Sequence, residues 1–170
     1  LTVYDCSLVS DGAASVLITT LERARDLTDR PIVVRGIAQT SDHVALDRKE
    51  TITTFPAVRR AAEKAYRMAG IGPRDVNVAE LHDCFTIAEL IEYEAMGLTA
   101  EGQGARAIKE GWTQKDGKLP VNPSGGLKAK GHPIGATGVS MHALAAMQLT
   151  GTAGDLQVRN ARLGGIFNMG

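Results

Sequence analysis

Apolar and polar positions along the chain alternate between two periods, and the alternation predicts a series of strands and helices. Ala13 to Thr19 is a small-then-apolar run that reads as a buried strand. Thr19 and Glu22 form a capping box for a short helix ending near Leu27. Pro31 to Ala38 carries Ile-Val-Val and reads as the next strand. Residues 40 to 54 are polar and irregular. Pro56 suits a first helical turn, and Val58, Ala61, Ala62, Ala65, Met68 and Ala69 then follow helical spacing until Gly70, Gly72 and Pro73 stop it. A strand is predicted over 76 to 81. A helix is predicted over 86 to 96, opened by a Thr86–Glu89 capping box and closed by Gly97. Residues 97 to 123 are rich in Gly, Lys and polar groups and read as a long functional loop with one helical turn near Ala105 to Glu110. Val139 to Thr150 is an apolar helix, and Leu163 to Phe167 the last strand.

This alternation argues an α/β fold. Val139, Met141, Ala143, Leu144, Ala145, Ala146, Met147 and Leu149 put apolar groups nearly all round the helix after Gly138, so it calls for burial on every side. Periodicity alone also allows a core helix of a self-contained domain.

Composition narrows the function classes. The chain has 170 residues and a formal net charge of zero, which gives no footprint for a nucleic-acid partner or an electrostatic membrane anchor. No run of about twenty apolar residues is present, so no membrane-spanning helix is expected. Cys6 and Cys84 lie far apart and do not form a metal-like pair, and no metal is expected; whether they form a disulfide stays open. The chain starts at Leu1 without a signal-peptide pattern and stops after Asn168-Met169-Gly170, so both ends read as cuts through a longer protein.

Two segments carry candidate chemistry. From Asn122 to Gly138 the chain places His132 between Gly131 and Pro133, within a run that also holds Gly125, Gly126, Gly135 and Gly138. Such a loop lets backbone pass close to a ligand, and it leads into a helix N-terminus, where free N–H groups favour developing negative charge. Read locally it is also an ordinary Gly-rich turn. The second segment, Glu80 to Thr86, puts His82, Asp83 and Cys84 on a strand-to-helix turn, where side chains can reach a cleft. A free cysteine there is otherwise a small buried hydrophobe.

The run around Gly131-His132-Pro133 resembles the C-terminal signature of the thiolase family. His82-Asp83-Cys84-Phe85 is similar to the catalytic loop of thiolases of the sterol-carrier-protein, or lipid-transfer-protein-like, type. The resemblance spans residues 1 to 170. It implies the C-terminal half of the thiolase fold, one β-α-β-α-β-α-β-β unit with a mixed sheet, helices on both faces and the final strand missing, and it places the apolar helix between the sheets of two halves. It implies further that the nucleophilic cysteine lies in an N-terminal half outside this chain. The reaction implied is acyl transfer to coenzyme A, with an acyl-CoA as substrate and no covalently bound cofactor. His132 would donate to the thioester oxygen as an enolate forms, and His82 would stand where the family has an asparagine that holds a water. Asn168 stands where most thiolases carry an acid/base cysteine, so Cys84 would take that role, with the nearby histidines able to lower its pKa. Gly170 would give its N–H to a second oxyanion hole, and Ser7 would lie near the pantetheine arm. A homodimer is implied. A thiolase-like aldolase acting with a small OB-fold partner and a non-catalytic scaffold are the alternatives. An intracellular location is expected, peroxisomal in a eukaryote.

Overall fold

The computed structural model describes residues 1–169. It contains six α-helices and a two-stranded sheet: α1 (Leu21–Leu27), α2 (Pro56–Ala69), β1 (Val78–Leu81), α3 (Thr86–Ala95), α4 (Gly104–Lys109), α5 (Gly126–Lys130), α6 (Ile134–Thr150) and β2 (Gly164–Phe167). β1 and β2 are parallel, in the register Val78–Gly164 through Leu81–Phe167. Val121 adds one parallel bridge to Ala79.

The side chains of β1 alternate between two layers, as a strand buried on both faces requires. Ala79 and Leu81 join Tyr93 and Met96 at the end of α3, Ala107 of α4, and Leu119 and Val121 in the core. Tyr66 of α2 meets Phe167 edge-on, with ring centroids 6.3 Å apart. On the other face α6 covers both strands. Gly164 faces that helix, and a Cβ there would lie in ordinary contact with Ala145 and Leu149 of α6. The chain is therefore an α/β unit with helices on both faces of its sheet.

Four local expectations change. At α1 the cap is Thr20, not Thr19, and its hydroxyl accepts the Arg23 N–H at 3.3 Å. Residues 13–19 and 31–38 form no strand. A strand needs an edge to pair with, and neither segment finds one among the described residues; Leu17 and Ile18 stand more than 80% or close to it in solvent. The second segment packs on helix α2 instead. Arg35 donates to the Ala69 carbonyl at 2.7 Å, and Gly36 lies so close to the Ala65 carbonyl that a Cβ would come within 2.3 Å. At α3 the capping box does not form. The Thr86 hydroxyl donates to Asp5 at 3.0 Å, and the helix begins without a side-chain cap. Helix α6 starts one turn before Val139, at Ile134, because the Pro133 carbonyl accepts the N–H groups of Ala136 and Thr137. Of its four faces only the stripe Thr137, Met141, Ala145 and Gln148 is buried here.

Candidate active site

Strand register builds the first part of the site. Leu81 faces Phe167 across the parallel pair, so the next residues, His82 and Asn168, emerge side by side past the strand ends. Ligand sites of open α/β sheets gather at this carboxyl end. The His82 N–H donates to the Phe167 carbonyl at 3.0 Å and to Glu92 Oε2 at 3.1 Å. Its Nδ1 lies 2.7 Å from Asn168 Oδ1.

The turn after β1 is stitched to the Gly-rich loop by short polar contacts. Asn122, held in the left-handed region at φ 48°, accepts the Leu81 N–H on Oδ1 at 2.7 Å and donates its own N–H to Ala79 O at 2.8 Å. Ser124 Oγ donates to Glu80 Oε2 at 2.8 Å. Asp83 accepts the N–H groups of Leu127 at 2.8 Å and Lys128 at 3.4 Å, which places its carboxylate at the start of α5. Gly126 is required there. Its φ is +63°, and a Cβ would fall 2.2 Å from Asp83 Oδ2.

The N-terminal segment closes the ring. Ser7 N–H donates to Cys84 O at 2.8 Å, and His132 N–H donates to Leu8 O at 3.1 Å. Lys128 Nζ donates to the Cys6 carbonyl. The segment 6–9 thus runs between the two loops, and Ser7 sits beside the Cys84 turn.

These constraints bring both histidines together. Their rings are nearly perpendicular, with centroids 5.0 Å apart, and both are buried. His132 Nδ1 lies 2.8 Å from Thr137 Oγ1. Among the described residues no hydrogen bond engages Nε2 of either ring, so both Nε2 atoms are available to a ligand. Desolvation, then the neighbouring His82 and Lys130, hold the pKa of His132 below its ordinary value, which favours the neutral imidazole.

The thiol behaves differently from expectation. Burial, then the Glu92 carboxyl, push the Cys84 pKa up rather than down. No hydrogen bond among the described residues joins it to either imidazole. Desolvation is the largest cause, and the Glu92 and Asp83 carboxyls add to it. Gly170 lies outside the described residues.

Three further groups belong to this neighbourhood. Asn168 holds His82, and Thr137 holds His132; Thr137 was visible in the loop but carries no family-signature chemistry of its own. Glu92 is fully buried, and burial raises its pKa well above the ordinary carboxyl value. Its signal was available in the sequence, since Glu92 shares the buried face of α3 with Ala88 and Ala95. No cluster of described residues fits a metal ion. A concavity of about 450 Å³ lies elsewhere, between residues 37–39 and α2, and none of the candidate residues lines it. No helix among the described residues is long and apolar enough to cross a membrane.

Comparison with known proteins bears on the family and the fold. Residues 38–170 match the family model described as thiolase C-terminal domain-like. An acetyl-CoA acetyltransferase of Methanothermobacter thermautotrophicus is 45% identical over 170 residues, covering 100% of this chain and 44% of that protein. Sterol carrier protein 2 of Rattus norvegicus is 41% identical over 175 residues, covering 100% of this chain and 32% of that protein. Among solved structures, an Ltp2-ChsH2(DUF35) aldolase superposes with a TM-score of 0.71 at 30% identity, over 78% of this chain and 35% of that one. The chain spans less than half the length of these relatives. Taken with its paired histidine loops and the fold that joins them, the chain belongs to the thiolase family, in which it corresponds to the C-terminal domain.

Proposed function

We propose that the chain supplies the enolate-stabilising and proton-transfer half of an acyl-CoA C-acyltransferase, which makes or cleaves 3-ketoacyl-CoA. The observation that carries this reading is the pair of buried imidazoles 5.0 Å apart with both Nε2 atoms unengaged. The acetyl-CoA acetyltransferase and sterol carrier protein 2 relatives support the substrate class.

The chemistry asks His132 to donate a hydrogen bond to a thioester oxygen as it gains charge. That requires a neutral ring with its proton on Nε2. Thr137 can enforce it. The Thr137 hydroxyl lies 2.8 Å from His132 Nδ1 and 3.1 Å from the Pro133 carbonyl, which already accepts two backbone N–H groups; in this proposal its proton goes to Nδ1. Cys84, kept as a thiol by burial and Glu92, is the group proposed to return a proton. The acyl-accepting nucleophile lies outside residues 1–170 in this proposal, as does the second half of a homodimeric enzyme. Gly170 and Ser7 are proposed to complete the oxyanion and pantetheine contacts.

The test is an assay of the full-length protein with acetoacetyl-CoA and CoA. Thiolysis is expected, and His132→Ala should lower kcat by about 10²- to 10³-fold, the usual effect of removing one oxyanion donor. Wild-type protein with no turnover on CoA thioesters would overturn the reading. A second reading has one observation in its favour, the structural likeness to an aldolase solved with a DUF35 partner. It is distinguished by retro-aldol cleavage of a 3-hydroxyacyl-CoA in place of thiolysis, with a small OB-fold partner present.

A further inference from the structure

We propose that a small cavity behind the Gly-rich loop is a binding site for one water molecule, anchored by the buried carboxyl of Glu80, and that this water joins β1 to helix α6. The inference uses the fold alone and stands whatever reaction the full-length protein performs.

The strand sets the direction. Ala79 and Leu81 turn into the core with α3, so Glu80, between them, faces the other side of the sheet, toward α6. It is 1% exposed. Its Oε2 accepts the Ser124 hydroxyl at 2.8 Å. Its Oε1 is buried and meets no hydrogen-bond partner among the described residues. A carboxyl oxygen left unmet in a low-dielectric interior is costly, so such atoms are satisfied by protein or by ordered water. A cavity of about 20 Å³ adjoins it, lined by Glu80, Ser124, Gln148 and Leu156, with Leu144 and Met147 of α6. One water needs about 10–15 Å³, so the cavity holds one and excludes anything much larger.

The opposite wall supplies further partners. Gln148 accepts the Val158 N–H on Oε1 at 2.7 Å and donates from Nε2 to the Leu156 carbonyl at 2.8 Å. Both partners are backbone groups of fixed role, so they set the orientation of this amide. A second Nε2 hydrogen and a second lone pair on the Leu156 carbonyl remain for the water. Water also suits Glu80 better than a fixed side chain would. Ser124 already donates to Oε2, so a neutral Glu80 carries its proton on Oε1 and needs an acceptor there. The carboxylate needs a donor at the same place. A water serves both states by turning. Both states matter, because burial raises the Glu80 pKa to about 7; Ser124 and Lys130 oppose the shift, Asp83 adds to it, and α6 brings no charged group to the cavity wall. Ser124 Oγ also accepts the Gly126 N–H at 3.3 Å. Through Glu80 the water thus ties α6 to the strand and to the Gly-rich loop.

The experiment is a crystal structure of the full-length protein, fine enough to place waters, at about pH 5 and about pH 9. At both, one water should lie within about 3.2 Å of Glu80 Oε1. Glu80→Gln keeps a polar group at the cavity and should keep the water. Glu80→Met has similar length and no polar tip, and should lose it. In solution, ¹⁷O relaxation dispersion should count one long-lived water fewer in Glu80→Met than in wild type or Glu80→Gln. An empty cavity in the wild type, a protein group or a metal ion against Oε1 in place of water, or a water retained in Glu80→Met would overturn the proposal. The wild-type map decides the question even if Glu80→Met does not fold.

Discussion

At Cys84 and Asp83 the consequences are those of single groups. Burial and Glu92 hold the Cys84 thiol in its protonated form, and only the thiolate reacts with alkylating agents. Iodoacetamide should therefore modify Cys84 more slowly at pH 7.5 than it modifies a free thiol, with the rate still rising well above pH 9. Cys84→Ala should lower turnover of the full-length protein by about 10²-fold if the thiol returns the proton. Asp83 joins two loops through the N–H groups of Leu127 and Lys128. Asp83→Ala leaves both donors without that acceptor and should cost about 1–3 kcal/mol in urea denaturation; Asp83→Asn, which keeps one oxygen, should recover part of it. The sequence showed His82, Cys84 and His132 plainly, because each sits in a short recognisable string. The partners that hold them were not legible. Asn168 stands 86 positions from His82, and no local pattern reports which residue will stand beside it.

At the scale of elements, β1 carries a buried acid between the sheet and α6. Glu80 is desolvated there, which raises its pKa to about 7, although Ser124 and the nearby Lys130 charge oppose the shift. The folded pKa lies above the ordinary carboxyl value, so the folded state binds the proton more tightly than the unfolded state does. Its contribution is complete below about pH 4.5 and is lost as pH rises through about 7. Denaturation of the full-length protein at pH 5, 6, 7 and 8 should show stability falling across that window by on the order of 3 kcal/mol from this group. Glu80→Gln should flatten the dependence; an unchanged slope would assign it elsewhere. Helix positions were the most legible elements, since α2, α3 and α6 each follow from 3.6-residue spacing and Pro or Gly boundaries. The failures were segments whose partners lie beyond the spacing. Residues 13–19 have a strand's composition, but composition supplies no neighbouring edge.

For the whole molecule, the exposed apolar surface is the dominant fact. Leu1, Tyr4, Val9, Leu17, Ile18 and Val34 are each at least 70% exposed, and α6 buries one stripe only. Contiguous apolar surface of more than a few hundred Å² is rare on a monomer. The isolated 170-residue chain should therefore self-associate in sedimentation experiments and bind an apolar dye; a dye-silent monomer would show that these residues are covered within the chain. If the acyl-accepting nucleophile lies outside residues 1–170, as proposed, the chain should also give no thiolysis on its own. The all-apolar character of α6 was readable in advance, whereas its half-wet state was not, because the sequence does not state which neighbours are present. The pairing of His82 with Asn168 also has a timetable. At about 5–20 residues per second of synthesis, His82 leaves the ribosome roughly 4 to 17 s before Asn168, the residue its ring bonds to. Throughout that interval β1 has no β2 beside it. The contact between the two strand ends is thus among the last this stretch of polypeptide acquires, and a translational pause between residues 82 and 168 would prolong the time its buried acids and open strand edge spend without their partners.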